Sequence, residues 1–152
     1  MRATELIEEF ARRTGCGAKP NEDGVVSLLF DGRHTVVIET AGDAGTMTIY
    51  AVVARMPPPG EERSALAERL LALNLFGAGT GAASFAVDPL EDEVILNRVL
   101  AVDRIDYATF EAALEDFVSR LENAGAALAA PAPQRVVAPE PASVPTGLWI
   151  RG

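Results

Sequence analysis

A chain of 152 residues with 22 Asp and Glu against 13 Lys and Arg carries a formal charge of −9 and has room for one hydrophobic core. That charge repels the phosphates of nucleic acid and the anionic surface of a membrane, so neither is an expected partner. The single cysteine, Cys16, cannot close an intramolecular disulfide, and Glu5, Glu8 and Glu9 interrupt any leader-like apolar run. With no stretch near the ~20 apolar residues that span a bilayer, the chain is expected in a reducing cytoplasm.

In chain order, Thr4 is the expected N-cap of a first helix that carries Leu6, Ile7 and Phe10 on one side and ends near Gly15 and Gly17. Residues 25–30 and 33–40 read as a β-hairpin, because Asp31 and Gly32 between them suit the positive φ angles of a type I′ turn. A second turn at residues 42–45 leads to a third strand, residues 46–55, in which Met47, Ile49, Ala51 and Val53 alternate with Thr48, Tyr50 and Val52. Pro57, Pro58 and Pro59 stop that strand, and a helix over residues 62–75 follows. Strands over residues 82–88 and 93–100 flank a turn at 89–92. A last helix starts near Asp106 and spaces Tyr107, Phe110, Leu114, Phe117, Val118 and Leu121 by threes and fours, with Glu111, Glu115, Asp116 and Arg120 facing away.

The order α-β-β-β-α-β-β-α predicts an α+β domain with an antiparallel sheet over residues 1–128, followed by a Pro- and Ala-rich flexible tail, 129–152, with Trp149 near its end. Strands one to three carry apolar residues on both faces, whereas three short helices cover one. Apolar surface on the sheet or on the middle helix is therefore expected to remain for another chain.

Residues able to do chemistry are sparse. Gly77, Gly79 and Gly81 follow a helix and precede a strand, the reverse of a nucleotide-binding loop, so their expected task is a tight turn and a close approach. His34 has no second histidine with which to hold a metal, and Cys16 has only His34 to call on as a base. Glu91, Asp92 and Glu93 read as a solvated cluster at a turn rather than as an acid and base pair. No enzymatic activity, cofactor or metal is expected.

The segments LALNLFGAGTGAASFAVDP, EVILNRVL and DYATFEAALEDFV, in that order, resemble the type III secretion chaperones of the Tir-chaperone (CesT) family over roughly residues 2–125. The resemblance implies a cytoplasmic homodimer that binds the N-terminal chaperone-binding segment of a secreted effector and keeps it soluble and secretion-competent. The secretion ATPase is a candidate further partner. Carried over by position in the fold, the dimer contacts fall on Leu66, Leu70, Leu73, Ala83 and Phe85, and the effector contacts on Leu6, Phe10, Val26, Leu28 and Val36. On that basis Leu70→Asp is expected to break the dimer. The alternative is a regulatory or sensory binding module of the same fold with no secretion client.

Overall fold

In a computed structural model, which describes residues 2–40, 45–129 and 138–143, the elements follow the predicted order. Helix α1 spans Ala3–Thr14, and strands β1, β2 and β3 span Val25–Phe30, His34–Thr40 and Thr46–Arg55. Helix α2 spans Glu61–Asn74, β4 and β5 span Ser84–Asp88 and Glu93–Ala101, and α3 spans Tyr107–Ala129. The five strands form one antiparallel sheet in the order β1-β2-β3-β5-β4, so β1 and β4 are its edges.

Local chemistry explains most boundaries. The N-cap of α1 is Arg2 rather than Thr4: its backbone N–H donates to Glu5 Oε2 at 2.8 Å, which places Thr4 inside the first turn. Asp31 and Gly32 take φ of 50° and 65°, and Arg33 N–H closes the turn on Phe30 O at 3.0 Å. Asp106 starts α3, its Oδ1 accepting from Thr109 N–H at 2.8 Å. In β3 the register slips between Val52 and Ala54, a bulge that ends the alternation begun at Met47.

The helices cover one face of the sheet. Val26, Leu28, Val36, Ile38, Met47, Ile49, Ala51, Val94, Leu96 and Phe85 point into that face, and Leu6, Ile7, Leu70, Leu73, Phe110, Leu114 and Phe117 meet them from the helices. Helix α3 crosses β2 and β3, α2 lies on β4, and α1 packs on α3. Phe10 sits between Phe30 and Phe110, with ring centroids 6.5 and 6.4 Å away, the second contact edge-on. Residues 138–143 are exposed and carry no helix or strand; the rest of the expected tail, Trp149 included, and most of the turn at 42–45 lie outside the described residues.

Candidate functional site

Each edge of the sheet is closed at one residue by an asparagine, and the longer β1 leaves more of its edge open. At β4, the side chain of Asn74 plays the part of a neighbouring strand: its Oδ1 accepts from Phe85 N–H at 2.8 Å and its Nδ2 donates to Phe85 O at 2.9 Å. Helix α2 can do this because Leu70 and Leu73 fix it on β4 and Asn74 is its last residue. At β1, only the first residue is closed. Val25 N–H donates to Asn21 Oδ1 at 2.8 Å, and Val25 O accepts from Asn21 N–H at 2.9 Å.

Thr40 N–H donates to Gly24 O, so Gly24 faces β2, and by alternation so do Val26, Leu28 and Phe30. The N–H and C=O groups of Ser27 and Leu29 therefore point away from the sheet, where no strand among the described residues meets them. The side chain of Leu29 is itself 66% exposed.

Exposed apolar surface gathers in two further places. The face of the sheet opposite the helices presents Leu29, Val37, Tyr50, Val52, Ile95 and Val99, and Val52 and Val99 are more than half exposed. On α2 and the turn after it, Leu71, Leu75 and Phe76 are 72%, 44% and 83% exposed. Phe76 also has φ of 54°, a left-handed backbone unusual for an aromatic residue, followed by Gly77 at 66°. Two more glycines of this corner are needed, one for space and one for its backbone. A Cβ on Gly79 would lie 2.8 Å from Leu73 Cδ2 in the core, and Gly81 takes a φ of 61°, which side-chain-bearing residues rarely adopt.

The residues singled out by resemblance lie mostly beneath these surfaces. Of the five placed at a dimer contact, Leu70, Leu73, Ala83 and Phe85 are buried in the chain's own core, and Leu66 is half-buried. Of the five placed at an effector contact, Leu6, Val26, Leu28 and Val36 are buried and only Phe10 keeps partial exposure. A side chain already covered by its own fold has little area left to remove from water on binding. Leu29, Leu71, Leu75 and Phe76 were not among the predicted contacts. The signal for Leu29 was its place opposite Leu28 in the β alternation, and for Phe76 its place among glycines.

Two of the three carboxylates at the β4–β5 turn are paired. Asp92 pairs with Arg63 at 2.7 Å, Glu93 lies 3.9 Å from Arg55, and Arg63 also donates to Pro57 O. Cys16 is exposed, and a hydrogen bond from Thr14 draws its thiol below the ordinary value. Burial, reinforced by its hydrogen bond to Glu111, holds the Tyr107 hydroxyl above its usual range. No helix among the described residues is long and apolar enough to cross a membrane.

The model of the Tir chaperone protein (CesT) family matches residues 5–124. The chain belongs to this family. It is a type III secretion chaperone of the CesT type, and its fold agrees with solved relatives. The ExsC–ExsE complex superimposes with a TM-score of 0.65 at 25% identity, covering 80% of this chain and 92% of that one. SycH of Yersinia pestis, a type III secretion chaperone solved with a fragment of YscM2, gives 0.57 at 19%, covering 79% and 97%. The ExoU–SpcU complex of the Pseudomonas aeruginosa type III secretion system gives 0.57 at 16%, covering 83% and 93%. A comparison with curated protein sequences finds no match. Within this CesT-type chain, the open β1 edge and the exposed apolar residues are the surfaces on which a polypeptide could be held.

Proposed function

We propose that this CesT-type chaperone binds the N-terminal segment of a secreted effector in extended form along β1, keeping it soluble in the cytoplasm until export. The observation that carries this reading is the open stretch of β1: Ser27 and Leu29 offer backbone donors and acceptors with nothing paired to them among the described residues, whereas the shorter β4, with Asn74 on Phe85, leaves only Val87 facing outward. A strand added there gains main-chain hydrogen bonds that any sequence can supply, and Leu29 adds an apolar contact. Holding a client unfolded requires recognition of this kind, which depends on backbone more than on a finished fold.

Two copies of the chain associate through Leu71, Leu75 and Phe76, which displaces the dimer contact outward from the buried Leu70 and Leu73. The complexes ExsC–ExsE and ExoU–SpcU support a protein as the bound partner. A secretion ATPase would then take over the loaded dimer.

Co-expression with the N-terminal segment of an effector encoded nearby tests the reading. The wild-type chain should elute with the segment as one soluble complex. Ser27→Pro removes an outward N–H without touching a bond to β2, a change that edge strands tolerate, and should weaken capture about tenfold or more. Leu29→Asp should do the same. Full-strength capture by both variants, with circular dichroism unchanged, overturns the β1 assignment.

A further inference from the structure

Beside the end of β1, helices α1 and α3 enclose a groove of about 370 Å³. Its floor is apolar, built from Phe10, Phe30 and Val118, which pack against the core yet stay partly exposed. Its wall is acidic: Glu111, Glu115 and Glu122 line it from a single stripe of α3. The same helix pairs Asp116 with both Arg98 and Arg120 at 3.2 Å, yet none of these three glutamates has an ion-pair partner among the described residues. Glu111 receives only the Tyr107 hydroxyl, at 2.9 Å. Arg13 bonds Glu9 and lies over the Tyr107 ring, and Glu111 feels its charge without forming an ion pair with it.

Like charges at the i and i+4 positions of a helix repel, so setting Glu115 one turn from Glu111 costs α3 some local stability. Their use lies in what they face. We propose that this groove receives a client segment in which apolar side chains are flanked by Lys or Arg, the apolar groups entering between Phe10, Phe30 and Val118 and the cations meeting the three glutamates. The groove has the volume of a small-ligand site, so it takes a few side chains of a segment lying across it rather than a whole helix. A larger groove of about 730 Å³ between α1 and the loop that follows it is walled by Glu8, Glu22, Arg12 and Lys19. Both signs of charge meet there, and it selects neither. The formal charge of −9 draws a basic segment toward the chain from a distance and disfavours an acidic client.

This inference rests on the chaperone reading but concerns a different surface from β1. Its test is a titration of the full chain, followed by fluorescence anisotropy, with a labelled peptide of about 18 residues carrying Leu on one face and Arg at its flanks. A second peptide has Glu in place of every Arg. The Arg peptide should bind about tenfold tighter or more, and lose that advantage as salt shortens the screening length. E111Q/E115Q/E122Q should bring it to the level of the Glu peptide. Equal binding of the two peptides, or unchanged binding by the triple variant, overturns the proposal while leaving capture along β1 to be judged on Ser27→Pro alone. Two other occupants are also read out. If Trp149, the only tryptophan, shifts to the red when the Arg peptide binds, the chain's own C-terminal segment fills the groove and the proposal fails. If light scattering shows the peptide splitting a dimer, the groove belongs to a second copy and the proposal fails likewise.

Discussion

Replacing Asn74 with Ala strips the part-buried N–H and C=O of Phe85 of both partners at once. The expected cost is about 1–3 kcal/mol, the penalty of polar groups left unmade. Thermal unfolding should shift down by several degrees, and light scattering should show larger species as a second edge opens. Asp106 governs a different dependence. Its hydrogen bonds to Thr109 hold its carboxyl below the usual carboxylate range, and those from Arg12 and Arg13 do the same for Glu9. A carboxylate depressed in the folded state contributes stability that is complete above its unfolded pKa, about 4, and fades as pH falls through the folded value. Stability should therefore decline below about pH 4, and Asp106→Asn should flatten part of that decline in melts recorded against pH. At this scale the sequence was legible where one residue has one physical role, as at Asp31-Gly32. It misled at Thr4, a good cap by type, because Glu5 was placed to close back on Arg2 instead.

Helix α2 shows why element-level periodicity did not separate its buried residues from its exposed ones. Its sequence puts Leu66, Leu70 and Leu73 beside Ala65, Ala67, Leu71 and Ala72, so apolar residues occupy most of its circumference and no single stripe stands out. The structure separates them: Leu70 and Leu73 are each 3% exposed and Leu71 is 72%. Leu70→Asp should therefore unfold the chain, because an unpaired charge would enter the core, rather than yield a folded monomer. Leu71→Asp should leave circular dichroism unchanged and convert the proposed dimer to monomer in light scattering. A persistent dimer in Leu71→Asp would remove α2 from the interface. A two-fold contact uses Leu71, Leu75 and Phe76 twice, about 10 kcal/mol of gross burial, the same order as the about 4–15 kcal/mol that association costs. The strands posed a related difficulty. Alternation showed that β1 and β3 have two apolar faces but not which one the helices take, and that choice decides between Leu28 inside and Leu29 outside.

For the molecule as a whole, the order of elements and the antiparallel sheet were readable from turns, prolines and periods, because each strand break falls on a residue that cannot continue the strand. What covers what was not, since it depends on contacts between segments far apart in the chain. The larger consequence lies in the unequal edges. A sheet with two live edges can stack head to tail without end, each copy's first strand on the next copy's last. Here an amide occupies Phe85, so the short β4 keeps only Val87 with outward backbone groups, and strand pairing between copies finds a long edge in β1 alone. A protein with one long sheet margin can thus carry sticky, half-finished cargo without seeding a filament of itself.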